Sequence, residues 1–130
     1  MRQLAHMGSE DRWVMIPRLS AITFAVRHMR EAMEFYTKFG FEVIYGGHES
    51  GFSSLRMGDA FVNLQLRPDY TPCTWGRIIF WVDDVDALYQ SITAQGLTPT
   101  TSPRDASWGE RYFHINDPNG HELSFAKPLS

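Results

Sequence analysis

Two tandem β-α-β-β-β modules, which together make an α+β fold, are predicted by three observations in the sequence. A strand-like segment, a helical segment and a glycine follow one another at 22–40 and again at 78–96. The landmarks recur at one constant offset: Ile22 with Ile78, Phe24 with Phe80, Val26 with Val82 and Gly40 with Gly96. Both helical segments carry apolar residues at the i, i+3, i+4, i+7 spacing of one buried stripe. The chain therefore predicts a duplicated strand–helix unit.

The first module is expected over about residues 19–67. Residues 19–26 alternate in polarity, as a half-buried strand does, and a helix over 29–39 ends at Gly40. Further strands are expected at 41–45, 52–57 and 60–66, the last two joined by the Gly58-Asp59 hairpin turn. Residues 1–18 lack apolar periodicity and are expected to form a loosely ordered N-terminal arm.

The second module is expected over about residues 75–128, after a proline-containing linker at 67–74. Strands are expected at 77–82, 97–101, 110–115 and 121–126, with a polar loop at 102–107. Asp83-Asp84 precedes the second helix, where acidic side chains favour the positive end of the helix dipole. Asp117-Pro118-Asn119-Gly120 has the composition of a tight turn before the last strand.

Composition limits the function classes. A net charge of -3 is not the basic footprint of a nucleic-acid-binding protein. The single cysteine, Cys73, excludes an intrachain disulfide and a multi-cysteine zinc cluster. The sequence contains no apolar run long enough to span a membrane and no signal-peptide pattern, so the expected location is the cytoplasm.

The strand faces indicate where a ligand would bind. In each module, one face of the first and last strands is apolar and is expected to cover the helix. The opposite faces are mixed in polarity, and a sheet face that is neither core nor plainly solvent often lines a cleft. Two such sheets side by side would enclose one.

Several motifs together resemble the vicinal oxygen chelate superfamily, also called the glyoxalase/bleomycin-resistance/extradiol-dioxygenase superfamily. They are the duplicated β-α-β-β-β unit, Phe35-Tyr36, the segment 82–88 (VDDVDAL), Trp108-Gly109-Glu110-Arg111 and Asp117-Pro118-Asn119-Gly120. The resemblance covers roughly residues 19–129, and its most specific part is the Trp-Gly to Asp-Pro-x-Gly stretch. It implies a curved mixed sheet around a central cavity and, for a single pair of modules, a homodimer.

Metal-dependent relatives take their ligands from the first and fourth strands, positions that correspond here to Ala21, Gln65, Arg77 and Ser124. Ala21 has no donor atom, and Arg77 carries a permanent positive charge. Neutral Ser124 is a poor ligand, and Gln65 offers one amide oxygen, whereas a divalent ion needs several donors. The resemblance therefore implies a protein without metal or other cofactor, closest to the bleomycin-resistance-like branch.

Aromatic and polar side chains on the mixed faces are the candidate ligand contacts. Trp81, Phe61 and Trp108 are expected to form an aromatic wall, or else to fill the cavity or a dimer contact. Further polar candidates lie on the same faces or beside the Trp-Gly motif: Thr23, Asn63, Gln65, Arg77, Ser124 and Arg111. Arg111 is alternatively an exposed salt-bridge residue.

Arg77, Glu122 and His114 are the candidates for catalysis if the protein is an enzyme. Arg77 would polarise a carbonyl, with Glu122 or His114 as a base; alternatively, Arg77 pairs with Glu122 or reaches solvent. The sequence predicts a small-molecule-binding protein that sequesters an amphiphilic or aromatic compound such as an antibiotic. The alternative is a glyoxalase-like lyase, isomerase or dioxygenase that acts on a vicinal-oxygen substrate.

Overall fold

In the part of the chain that the structure describes, two four-stranded sheets, two helices and one short two-stranded sheet make up the fold, which confirms the predicted α+β class. The computed structural model describes residues 4–6 and 13–130, with side chains from residue 14 onward. In chain order the elements are β1 (Leu4–His6), β2 (Trp13–Met15), β3 (Ala21–Val26), α1 (Met29–Thr37), β4 (Glu42–Tyr45), β5 (Phe52–Met57), β6 (Ala60–Leu66), β7 (Arg77–Trp81), α2 (Val85–Ala94), β8 (Arg104–Asp105), β9 (Glu110–Asn116) and β10 (Glu122–Pro128). Across these residues, neither helix is long and apolar enough to cross a membrane.

The two sheets repeat one topology. Their strand orders are β3-β6-β5-β4 and β7-β10-β9-β8. In each sheet, the strand that comes first in the chain pairs in parallel with the strand that comes last: β3 with β6, and β7 with β10. Phe24 lies beside Leu64 in the first sheet, and Phe80 lies beside Phe125 in the second. All four side chains are buried. The apolar faces of the repeat therefore build the core, as the sequence predicts.

One hydrophobic core serves both modules. Phe39, just beyond α1, stacks on Phe125 of β10 with ring centroids 4.6 Å apart, and Phe41 lies 5.7 Å from Phe80. These contacts join the helix-bearing side of the first module to the sheet of the second. The modules consequently depend on each other for burial, in agreement with the small size of each half.

The helix boundaries follow the expected signals. Gly40 and Gly96 have φ angles of 87° and 91°, in the left-handed region that favours glycine after a helix. Asp84 is the N-cap of α2, and its carboxylate accepts from the Ala87 N–H at 3.0 Å. The equivalent residue of α1, His28, makes no side-chain capping bond.

The strand expected at 97–101 is wrong. The N–H groups of Thr100 and Thr101 both approach the His114 carbonyl, and the His114 N–H donates to Thr101 Oγ1 at 3.0 Å. This side-chain acceptor replaces a ladder bond, so regular pairing begins only at β8, within the stretch 102–107 expected to be a loop. Half of the expected N-terminal arm, residues 1–3 and 7–12, lies outside the described residues. In the other half, β1 and β2 pair antiparallel.

Candidate functional site

The outer face of the second sheet brings together residues from three strands. By register, Arg77 lies beside Glu122, and Ser124 lies between Ile79 and His114. Since side chains alternate along a strand, these five residues share the face opposite the core. This surface is hereafter called the module-two face, together with Trp81, Glu110, Tyr112 and Ala126, which share its orientation.

A continuous hydrogen-bond chain runs across the module-two face. Arg77 Nη2 donates to Glu122 Oε1 at 2.7 Å, which forms the expected ion pair. Arg77 Nη1 lies 3.2 Å from His114 Nε2, and His114 Nδ1 lies 2.6 Å from Ser124 Oγ. The three predicted catalytic candidates are therefore in one network with Ser124, but each is already engaged by a neighbour.

The electrostatic surroundings keep His114 neutral. Burial lowers the pKa of His114 below its ordinary value, and the positive charges of Arg77 and Arg104 lower it further, against the opposing effect of Glu122. An unprotonated imidazole is what the contact with Arg77 requires, because a guanidinium can only donate.

Aromatic rings form one side of this face. The ring of Trp108 stacks on Tyr112 with centroids 5.8 Å apart, and its indole N–H donates to Glu110 at 2.9 Å. The guanidinium of Arg104 lies 5.5 Å over the ring of Tyr112, and its Nε donates to the Tyr112 hydroxyl at 3.0 Å. Trp108 is nonetheless 68% exposed, so its outer surface is open to a ligand.

Two adjoining cavities lie at the module-two face and beside it. The smaller, of about 270 Å³, lies on the module-two face and is lined by Arg77, His114, Ser124, Tyr112 and Trp108 among others. The larger, of about 620 Å³, is mostly apolar and lies where the start of β3 and the hairpin at 57–61 approach β7. Ile79 lines both cavities, so the polar pocket opens beside the apolar one.

The comparisons with known proteins identify the family. Residues 18–125 match the family model of the Glyoxalase/Bleomycin resistance protein/Dioxygenase superfamily. The chain belongs to this superfamily. It is 30% identical over 123 residues to the bleomycin resistance protein of Geobacillus stearothermophilus, covering 80% of this chain and 92% of the relative. The predicted resemblance is thereby confirmed.

Solved structures agree on the fold. A bleomycin-binding protein complexed with bleomycin superposes with a TM-score of 0.70 at 21% identity, covering 85% of this chain and 97% of the other. Lactoylglutathione lyase from Agrobacterium tumefaciens superposes with a TM-score of 0.71 at 16% identity, covering 86% and 94%. Because a binding protein and a lyase share the fold, the residues of the cavity must decide between the two functions.

The metal site of some superfamily members does not fit the donors at the corresponding positions. Arg77 is a fixed cation held by Glu122, and Ser124 already bonds to His114. Ala21 lines the larger cavity rather than the pocket of Arg77 and Ser124, and it has no donor atom. Within residues 4–6 and 13–130, no cluster of three histidine, cysteine or carboxylate side chains is arranged to hold a metal ion.

The remaining ligand candidates fall into separate places. Trp81 and Phe61 line the larger cavity, where Trp81 is 63% exposed. On the outer face of the first sheet, Ser54 Oγ donates to Asn63 Oδ1 at 2.6 Å and Asn63 Nδ2 donates to Thr23 Oγ1 at 3.3 Å. Gln65 shares that face by register. These three predicted residues, Thr23, Asn63 and Gln65, line neither cavity.

Arg111 lies away from the module-two face. It donates to both carboxylate oxygens of Asp86, at 2.8 and 2.9 Å, and to Asp105 at 2.9 Å. These hydrogen bonds from Arg111 lower the pKa of Asp86. The geometry matches the salt-bridge alternative, and the arginine that reaches Tyr112 is instead Arg104. Sequence reasoning missed Arg104, because the position of the two-residue strand β8 is set by pairing with β9 and carries no periodicity of its own.

Proposed function

We propose that this protein is a homodimer that binds and sequesters an amphiphilic or aromatic small molecule, such as an antibiotic, without a metal ion and in the cytoplasm. The observation that carries the proposal is the apolar cavity of about 620 Å³ that adjoins the polar, aromatic pocket of the module-two face. A largely apolar cavity of several hundred Å³ with a few placed polar groups is the usual form of a small-molecule site.

Trp81 and Trp108 support an aromatic ligand. Both are more than half exposed. Burying a tryptophan side chain away from water is favourable by about 4 kcal/mol, so their exposure has a cost in free energy. A stacked ligand would cover them. The 30% identity to bleomycin resistance proteins makes bleomycin the first compound to test.

The pocket favours binding over catalysis. Glu122 and His114 are the two candidate bases: the single ring lone pair of neutral His114, on Nε2, is directed at Arg77, and Glu122 is held in an ion pair with Arg77 through Oε1. A base whose acceptor site is occupied by a guanidinium is poorly placed to remove a substrate proton. The alternative of a lyase, isomerase or dioxygenase therefore receives less support from these residues than sequestration does.

The homodimer is supported by the exposure of the module-two face. Ile79, Trp81 and Trp108 are large apolar side chains on one open surface, and such patches often mark an interface or a ligand site. Light scattering after size exclusion should give twice the 15.0 kDa mass of the chain. A monomer at micromolar concentration would contradict this part of the proposal.

The test of sequestration is a tryptophan-fluorescence titration with bleomycin and other aromatic antibiotics. Binding should quench the fluorescence, the compound should be recovered chemically unchanged, and elemental analysis should find no stoichiometric metal. Trp108→Leu should weaken binding by about tenfold, through loss of a stacking partner. Trp75→Phe is the matched control, because Trp75 donates to His121 and lines neither cavity. Conversion of the compound, or a bound transition metal, would contradict the proposal.

A further inference from the structure

Arg77 fixes the tautomer of His114. A guanidinium has five N–H donors and no acceptor, so the contact from Arg77 Nη1 requires a lone pair on His114 Nε2. In the neutral imidazole, the proton then resides on Nδ1, which lies 2.6 Å from Ser124 Oγ. His114 therefore donates to Ser124, and the hydroxyl oxygen accepts.

This relay determines what Ser124 offers to the cavity. Because its oxygen accepts from His114, the hydroxyl hydrogen of Ser124 remains to be donated. The Tyr112 hydroxyl has the same hydrogen-bonding arrangement. Its oxygen accepts from Arg104 Nε, so its hydrogen also remains to be donated. Both residues line the pocket of the module-two face. Two hydroxyl groups, each polarised by a nitrogen donor, thus present hydrogens to a ligand.

The charges around the pocket compensate one another. Arg77 is paired with Glu122 at 2.7 Å, and both side chains are only partly exposed. Arg104 lies over Tyr112, and Glu110 accepts from the indole of Trp108, so a second cation and a second carboxylate flank the aromatic side. With each cation matched by a carboxylate, the pocket offers donors without a net positive charge. An uncharged acceptor suits such donors better than an anion, which would have to compete with Glu122 for Arg77.

We propose that the pocket binds a planar aromatic compound whose ring stacks on Trp108 and whose uncharged acceptor, a carbonyl oxygen or a ring nitrogen, accepts from the Ser124 hydroxyl. The inference rests on the proposed function and specifies the ligand class of that site. It assigns Ser124 as the residue that selects the ligand, and Arg77 and His114 as the residues that orient the Ser124 hydroxyl.

Three probes that share one ring system test the ligand class: 9-fluorenone, fluorene and fluorene-9-carboxylate. The first adds a neutral carbonyl to the second, and the third adds a negative charge. Quenching of tryptophan fluorescence should show that fluorenone binds about fivefold more tightly than fluorene, the effect of one net hydrogen bond. The carboxylate should bind no more tightly than fluorenone.

Ser124→Ala should remove the preference for fluorenone, so that the ratio of the fluorene and fluorenone dissociation constants falls to about one. Ser91→Ala is the matched control, since Ser91 is exposed on α2 and the preference should persist there. A second readout needs no ligand: long-range ¹H–¹⁵N spectra of the native protein should show His114 protonated at Nδ1. Protonation at Nε2 would overturn the relay even if Ser124→Ala failed to fold.

The outcomes separate the two proposals. Equal binding of fluorene and fluorenone would overturn the inference but leave a site for aromatic ligands. Tightest binding of the carboxylate would overturn it in favour of an anion site. If bleomycin and all three probes fail to bind, the proposed function fails and the inference fails with it.

Discussion

Two histidines in the second module illustrate two uses of the same side chain. His121 is buried: its Nδ1 accepts from the indole N–H of Trp75 at 2.8 Å, and its Nε2 donates to the Ala25 carbonyl at 2.7 Å. His114 is partly exposed and has the opposite arrangement, with Nε2 accepting from Arg77 and Nδ1 donating to Ser124. In both cases a side chain that can only donate fixes the tautomer.

The difference lies in where the hydrogen-bond chain ends. The hydrogen bonds through His121 end on the Ala25 carbonyl of the first module. Both ring nitrogens of His121 therefore have a partner inside the protein, and the two modules are linked. The chain through His114 ends on a hydroxyl that lines a cavity, so one donor remains for a ligand. Burial thus separates a histidine that supports the fold from one that lies beside a cavity.

Asp117, Tyr36, Asn119 and His121 form a buried hydrogen-bonded cluster, and substitution of Asp117 at its centre gives the largest expected effect. Asp117 accepts from the Tyr36 hydroxyl at 2.7 Å and from the N–H groups of Asn119 and His121. Asp117→Ala would leave three buried donors without an acceptor, at a cost of about 3 kcal/mol or more. Urea unfolding should show this loss, while Asp69→Ala, in an exposed turn, should change the midpoint little. A small effect for Asp117→Ala would contradict the view that the residues around His121 stabilise the fold more than the hydrogen bonds of His114 do.

The two histidines should differ in what they stabilise. His121→Ala should lower the free energy of unfolding by about 2 kcal/mol, because the Trp75 donor and the Ala25 acceptor lose their partner. His114→Ala, its matched counterpart, should cost less than half as much. Equal losses in thermal or urea unfolding would contradict the assignment of the two roles.

Tyr36 makes the buried cluster sensitive to alkaline pH. Burial, with the neighbouring charge of Asp117, raises the pKa of Tyr36 well above its ordinary value. The stability that depends on the protonated phenol is therefore complete below about pH 10 and is lost as the pH rises through the folded-state pKa. Tyr36→Phe should cost about 1.5 kcal/mol at neutral pH and flatten this alkaline decline. A decline of unchanged slope in the variant would contradict the prediction.

Arg77 and Arg30 form a matched pair for testing the binding role. Each arginine contacts a histidine and a glutamate, Arg30 reaching His48 at 2.8 Å and Glu49 at 3.4 Å on the protein surface. Arg77→Met should weaken the binding of fluorenone about threefold by releasing His114 and Ser124, whereas Arg30→Met should leave it unchanged. Equal affinities for fluorenone in the two variants would show that Arg77 takes no part in ligand binding.

His114 gives the smallest expected effect, on the acid side. Burial and the nearby arginines hold the pKa of His114 below its ordinary value, so the unfolded chain takes up this proton first as the pH falls. The stability tied to neutral His114 is complete above about pH 6.5 and is lost as the pH falls through the folded-state pKa. An NMR titration should give a midpoint for His114 below about 6.5, the ordinary value of a histidine, and His114→Gln should weaken the acid decline. A midpoint for His114 above about 6.5 would contradict this.

Much of the fold could be read from the sequence. The constant offset between Phe24 and Phe80 and between Gly40 and Gly96 predicts a duplicated unit, because helix packing demands the same apolar spacing in each copy. The strand alternation correctly places Arg77, Glu122 and Ser124 on one face. The strand predicted at 97–101 is absent for a local reason: the Thr101 side chain accepts the hydrogen bond from the His114 N–H that a strand backbone would have accepted.

What the sequence by itself determined is therefore the repeat, the family, and the replacement of the usual ligand positions by Ala21, Gln65, Arg77 and Ser124. Only the tertiary structure decided that Asp117 and His121 are buried supports and that His114 relays a hydrogen bond to Ser124. The physical reason is distance along the chain. Periodicity reports which face a residue occupies, but the partner that fixes its proton, such as Arg77 for His114 or Trp75 for His121, arrives from another strand or loop.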